Sequence, residues 1–310
     1  KLAEITTSSQ DPDLYGPDNA EGQAGAEMAS YAMDFARSRR RSDRADDLTA
    51  EILAADFGGS PMSDVEFGGF FVQLVTAGND TTKGMLSSGL LTLLRHPDQL
   101  ARLRADPTLL PGAVEEIIRY DNPLHYFRRT ALVDTELSGT RIAAGDKVAM
   151  YYTSANRDER VFADPQTFDI CRKPNPHLSF GMGGHFCLGA HLARLEGRVF
   201  FGELLDAFGT VDLTGEPVRV RSNLNNSLKT LPIRLAGTAR QYSTNAIPQL
   251  TRIASMIGES LNLRCPYHAV VMNALEAMPS APRAEPALKP YQPTQSMPVP
   301  RITNGTFAGA

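Results

Sequence analysis

The stretch Phe180-Gly181-Met182-Gly183-Gly184-His185-Phe186-Cys187-Leu188-Gly189, followed at once by Ala190-His191-Leu192-Ala193-Arg194-Leu195-Glu196-Gly197-Arg198, decides how the chain is read. One cysteine stands between Gly183 and Gly189, with His185 two positions ahead of it. Glycines let a loop fold tightly and bring backbone N–H groups close to a sulfur atom. The Ala/Leu/Arg-rich run after the cysteine reads as a helix, and its first turn would aim its positive end at a thiolate. Such a frame suits a thiolate that must hold iron. Two other readings of Cys187 stay open on these residues: a small buried hydrophobe, or one zinc ligand beside His185 and His191. Against zinc, no Cys-x-x-Cys occurs, and Cys171 and Cys265 lack paired spacing.

Two further stretches lie upstream. Ala77-Gly78-Asn79-Asp80-Thr81-Thr82 follows an apolar run and puts polar residues in mid-helix, where neither Asp80 nor Thr81 is a favoured helix former. That placement predicts a local break in the helix ladder. Glu116 and Arg119 are three apart and so share one helix face. Read in order, the three motifs resemble those of the cytochrome P-450 monooxygenases, over roughly residues 25–236. The resemblance implies a mostly α fold with small β-sheets (α+β), represented here by its C-terminal portion. Members usually carry a long N-terminal region before this point, with several helices and much of the substrate roof.

The resemblance also implies roles. Cys187 would be the ligand of a haem b iron, and its charge would favour O–O cleavage. Phe180 would cover the sulfur side of the haem, with Gly181 and Gly189 allowing close approach. His185 and Arg129 would bind the haem propionates, which need a charged or hydrogen-bonding partner; Arg128 is the adjacent competitor on the other strand face. Thr81 would steady dioxygen, and Asp80 would feed a proton relay through water. Glu116 and Arg119 would be a buried pair holding the cysteine loop. Their usual third partner is a basic residue where this chain has Thr167, which leaves Arg157, Arg172 or a backbone carbonyl as substitutes.

The implied reaction is insertion of one oxygen atom of dioxygen into an aliphatic C–H bond. Electrons would come from NAD(P)H through a ferredoxin reductase and a ferredoxin. Arg172, Lys173, Arg194 and Arg198 are the candidate basic docking residues. The motif wording is similar to actinobacterial hydroxylases of sterol side chains and methyl-branched lipids, and to hydroxylases of linear terpene alcohols such as linalool 8-monooxygenase. A hydrophobic substrate is therefore expected, with Val75, Ala77, Leu124, Tyr126 and Asn225 as candidate contacts. The alternatives are a haem-binding protein that uses peroxide directly or has lost monooxygenase activity, and a zinc-bound or purely structural protein.

Composition agrees with an enzyme acting on a small molecule. A net charge of −4 over 310 residues argues against a nucleic-acid partner. Three cysteines argue for a reducing, cytoplasmic setting without a disulfide framework. The strongest apolar stretch, 67–78, is too short to span a bilayer, so no membrane anchor is expected in this chain. No signal-peptide pattern opens it.

Periodicity and turn residues predict the elements. Residues 1–24 read as a surface loop and 25–39 as a helix. A short helix covers 48–57. Ser63-Asp64-Val65-Glu66 is a capping box that starts a helix running to Arg95, where His96-Pro97 stops it. That helix would be about 45 Å long. Shorter helices follow at 97–105 and 110–120, then strands at 126–132, 141–142 and 147–152. Residues 157–179 read as an irregular meander, the helix after Cys187 runs to about 208, and small strands occupy 218–235. Residues 1–236 thus form the family-like portion. Residues 237–310 are an extension outside it, with helices at 247–261 and 267–278 and a Pro-rich, disordered end.

Overall fold

The computed structural model describes residues 2–8, 10–13, 20–41 and 47–236. The expectations for 237–310 lie outside the described residues. Helices dominate: α1 (Leu2–Thr7), α2 (Ala20–Arg40), α3 (Leu48–Ala54), α4 (Asp64–Arg95), α5 (Pro97–Ala105), α6 (Leu110–Tyr120), α7 (Tyr152–Ala155) and α8 (Ala190–Ala207). The strands are short: β1 (Tyr126–Thr130), β2 (Thr135–Leu137), β3 (Thr140–Ile142), β4 (Lys147–Tyr151), β5 (Thr210–Leu213), β6 (Val218–Arg219), β7 (Leu228–Thr230) and β8 (Ile233–Ala236). They form two-stranded sheets, β1 with β4, β2 with β3, β5 with β8 and β6 with β7.

Helix α4 starts where the capping box requires. The Ser63 hydroxyl accepts from Glu66 N at 3.3 Å, and Ser63 N donates to the Glu66 carboxylate at 2.8 Å. Its second half is the centre of the core. Leu90, Leu91 and Leu93 of α4 pack with Ile117 and Ile118 of α6 and with Phe201 and Leu204 of α8. Gly89 lets these helices meet closely: a Cβ there would lie 2.6 Å from Ile117 Cγ2 and 2.9 Å from Phe201 Cζ. A smaller cluster of Ala32, Ala36, Leu53, Met62 and Phe67 joins α2, α3 and the start of α4.

The described residues fall into two compact units: residues up to Phe127 together with those from Tyr151 onward, and residues 128–150. In the second unit β2 and β3 form an antiparallel hairpin with Leu137 opposite Thr140. Its turn uses Ser138 (φ 50°) and Gly139 (φ 79°), two positive values as a tight hairpin turn of primed type requires.

Three expectations are corrected. Residues 1–24 are not all loop, because α1 forms and α2 begins at Ala20. A six-residue helix has no stability of its own. Here tertiary contacts hold it: Lys83 pairs with Glu4, the Thr7 hydroxyl donates to Asp80, and Asn225 Nδ2 donates to Thr7 O at 3.1 Å. The helix ladder does not break at Asp80-Thr81, since α4 is continuous across it. The Thr81 hydroxyl bonds back to the Ala77 carbonyl at 2.7 Å and so fits inside a regular helix. Strands β2 and β5 were not expected, because three or four residues carry too little alternation to read. No helix among the described residues is long and apolar enough to cross a membrane.

Candidate functional site

The cysteine loop is shaped by its glycines. Gly181 (φ 69°) and Gly183 (φ 67°) adopt left-handed backbone, and a Cβ on Gly181 would also press against Tyr152 and the His185 carbonyl. A short 3₁₀ turn, Gly183–His185, then leads into Cys187. Cys187 N donates to Phe180 O at 2.9 Å, closing the loop on itself. Ala190 N donates to Cys187 O at 3.2 Å, so α8 begins directly behind the cysteine with its first amides turned to the loop.

Residues 182–189 are all exposed, Cys187 and His185 among them. Large apolar side chains of the same loop stand open: Met182 (71% exposed), Phe186 (50%) and Leu188 (80%). A Cβ at Gly189 would meet no protein atom, so the protein itself does not crowd that glycine. An exposed cysteine in a loop that also exposes large apolar side chains, with free space at the glycine, fits a large apolar ring bearing a metal centre. Zinc is not favoured, since no group of three His, Cys, Asp or Glu side chains able to hold a metal occurs among the described residues.

Phe180 is half-buried, its ring 5.8 Å from His177, 6.3 Å from Phe186 and 4.4 Å beneath the Arg194 guanidinium. Arg129 lies on β1 in the second compact unit, exposed, donating to the Arg128 carbonyl at 3.1 Å.

On α4, Asp80 is buried (5%). Its carboxylate accepts from the Thr7 hydroxyl and from Asn79 Nδ2 at 3.1 Å, with Lys83 Nζ 3.4 Å away. The sequence did not point to a second acid beside this segment, Glu196 of α8, which interacts with Thr82. Burial holds the Glu196 carboxyl above its usual range, with the Thr82 hydrogen bond opposing. No spacing rule pointed to Glu196, because the contact is made between two helices distant in sequence.

Glu116 and Arg119 are fully buried and form a bidentate pair at 2.7 and 2.8 Å. Arg119 also donates to the carbonyls of Asn156, Pro165 and Thr167 at 2.8, 2.9 and 3.0 Å. Arg172 Nε donates to Glu116 at 3.2 Å, and Asn175 Nδ2 and the Asp169 amide donate to the same carboxylate at 3.1 and 3.0 Å. The third partner is therefore Arg172 together with meander carbonyls. Arg157 instead donates to Tyr120 O at 2.8 Å and stacks on that ring.

This engagement corrects the docking expectation for two cations. The Arg172 side chain is 9% exposed, and Arg194 is held bidentately by Glu115 at 2.7 and 2.9 Å. Neither offers a free charge; Lys173 remains exposed and Arg198 partly so. Of the candidate substrate contacts, Val75, Leu124 and Tyr126 are half-buried and Ala77 is exposed. Leu124 bridges Asn225. Asn225 itself is buried (3%), and its amide donates to Thr7 O and Ser8 Oγ, so that side chain fastens α1.

A cytochrome P450 family profile matches residues 23–235, more than half of the chain. The methyl-branched lipid omega-hydroxylase of Mycobacterium tuberculosis is 48% identical over 72% of this chain and 52% of its own length. The steroid C26-monooxygenase of Mycobacterium bovis is 40% identical over 72% of this chain and 51% of its own. The chain thus spans about half the length of the curated relatives it matches. A Mycobacterium marinum cytochrome P450 solved in complex with pseudoionone superimposes with a TM-score of 0.71 at 40% identity, covering 76% of this chain and 57% of that one. With the cysteine loop, the buried Glu116–Arg119 pair and this profile in agreement, the chain belongs to the cytochrome P450 family, whose members bind haem b.

Proposed function

We propose that this protein is a haem-thiolate monooxygenase that hydroxylates an aliphatic C–H bond of a hydrophobic substrate. The observation that carries the reading is the exposed Cys187, set just before α8 in a loop that also exposes Met182, Phe186 and Leu188. Cys187 would hold the iron through Sγ, and His185 would take a propionate. Bound in this way, haem supplies the one-electron and dioxygen chemistry that puts one oxygen atom into substrate and reduces the other to water.

The chain's own residues order the site. Burial raises the Glu196 carboxyl above its ordinary range, against the opposing hydrogen bond from Thr82. Asp80 is an acceptor for the Thr7 and Asn79 side chains, and its neighbour Thr81 offers a hydroxyl that rests on the Ala77 carbonyl. Freed from that carbonyl, the Thr81 O–H can donate toward a bound ligand. The substrate end that enters should be uncharged, because Val75, Leu124 and Tyr126 include no charge to pair with one. The printed substrates of its relatives, methyl-branched lipid and steroid, and the pseudoionone held by the M. marinum protein support an aliphatic or isoprenoid chain. Electrons would arrive from NAD(P)H through a ferredoxin.

The test is spectral. The full-length protein, reduced and exposed to carbon monoxide, should show the long-wavelength Soret band of thiolate ligation, and Cys187→Ala should abolish it. Retention of the band in Cys187→Ala would refute the ligand assignment.

A further inference from the structure

Two glutamates adjacent in sequence leave α6 in different directions. Successive helix positions are turned by about 100°, so Glu116 faces the meander while Glu115 faces the stretch before the cysteine loop. Glu115 Oε2 accepts from His177 Nε2 at 3.1 Å, and Arg194 of α8 grips the same carboxylate through Nε and NH2 at 2.7 and 2.9 Å. The His177 side chain is only 3% exposed. Its Nδ1 lies 3.4 Å from Ser179 N, which can only donate, so Nδ1 accepts and Nε2 carries the proton given to Glu115. The Arg194 guanidinium then lies over the Phe180 ring at 4.4 Å, and the His177 ring flanks it at 5.8 Å. Phe180 O is the acceptor for Cys187 N at 2.9 Å.

We infer that Glu115, His177 and Arg194 are positioning residues that form a second clasp, separate from the Glu116–Arg119 pair, and set where Phe180 and hence the Cys187 sulfur stand. The hydrogen bonds of Glu116 and Arg119 tie α6 to residues 156–175, and Asn156 passes the tie on to Leu178 and Ser179. Glu115 instead joins α6, the residues leading into the loop and the helix leaving it. A ring locked between a guanidinium and an imidazole fixes the carbonyl on its own backbone, and that carbonyl holds the cysteine amide. Arg194 has its Nε and one NH2 group committed to Glu115.

The inference rests on the haem-thiolate reading, and the experiment separates the two. Full-length, haem-loaded wild type is compared with Glu115→Ala, Glu115→Gln and Arg194→Lys by the spectrum of the reduced, carbon monoxide-bound form, by reduction potential and by thermal melting. A wild type without the long-wavelength band sinks the haem-thiolate reading itself. With that band present, Glu115→Ala and Arg194→Lys should keep haem but show a several-fold larger share of the short-wavelength form that marks a displaced or protonated thiolate, together with a shifted potential. Glu115→Gln, which preserves shape and an acceptor oxygen, should fall between. Should Glu115→Ala fail to fold, Arg194→Lys and Glu115→Gln carry the test, since both side chains lie partly at the surface, 25% and 29% exposed. Variants that melt lower yet keep wild-type band shares and potential would overturn the inference, because a merely structural salt bridge gives that pattern.

Discussion

At the scale of single residues, the electrostatics are decided by what each charge touches. Glu116 has five hydrogen bonds from four residues and no exposure, so removing Arg119 leaves a buried carboxylate without its main partner. Arg119→Ala should cost about 3–5 kcal/mol, read as a drop in the urea midpoint at unchanged slope. Arg172→Ala, which removes one bond of the set, should cost less than half of that. Glu115 makes a pH prediction. Burial alone would raise its carboxyl, but the hydrogen bonds from His177 and Arg194 and the Arg194 charge prevail, holding it at about 2 against an ordinary 4.5. A depressed value stabilises the fold where the group is ionised in both states. The stability gap between wild type and Glu115→Gln should therefore be full above about pH 4.5 and shrink as the pH falls toward about 2. A gap that stays constant across that window would show that the charge of Glu115 contributes nothing. Thr81→Ala keeps the helix and loses the hydroxyl now resting on Ala77 O. Haem content should survive while less product forms per NAD(P)H consumed, which is measurable by comparing product and peroxide yields.

At the scale of elements, α4 is the organiser. Its start is written locally, in a Ser63–Glu66 box that a reader of sequence can recognise. Its packing is not, because Gly89 matters only through Ile117 and Phe201, both wholly buried. Gly89→Ala gains helix propensity of about 1 kcal/mol, yet the added methyl meets atoms that have no room to withdraw, an overpacking cost of about 1–3 kcal/mol. We expect net destabilisation, visible as a lowered melting temperature, whereas Gly69→Ala on the same helix meets nothing within 4 Å and should stabilise slightly. If both substitutions stabilised, the close approach of α4, α6 and α8 would be wrong.

At the scale of the whole molecule, contacts between the ends of the described chain hold the first compact unit together. Asp11, 1% exposed, accepts from Arg221 N at 2.9 Å and from Lys229 Nζ at 2.5 Å. Lys229→Met should cost about 3 kcal/mol by leaving that carboxylate buried without its ammonium, and proteolysis should then begin near residues 10–13. Cleavage confined elsewhere would show that this tie does not secure the segment. The substrate prediction also belongs here. Spectral titration of the full-length protein should give a water-displacing Soret shift with long branched or isoprenoid chains. A response only to small polar aromatics would sink the assignment of an aliphatic substrate.

Some of this protein was legible without coordinates. The cysteine loop, the capping box, the helix stop at His96-Pro97 and the order of the long helices are local statements, made by residues within a few positions of one another. Glycine conformations, caps and hydrophobic periods act over that same range, which is why they can be read in one dimension. The unbroken course of α4 through Asp80-Thr81 escaped the reading because Thr81 settles onto the Ala77 carbonyl of its own helix, β2 and β5 because they are too short to show alternation, and α1 because contacts from elsewhere in the chain hold it. The same holds for the site. Cys187, Glu116 and Arg119 stand out through the resemblance of their three motifs taken in order. Whether Arg172 or Arg157 completes the buried pair, whether Arg194 faces solvent or Glu115, and which acid stands next to Thr82 depend on side chains separated by 37 to 114 positions. Only the packed tertiary structure decides those, since a charge takes whichever partner the fold brings within reach.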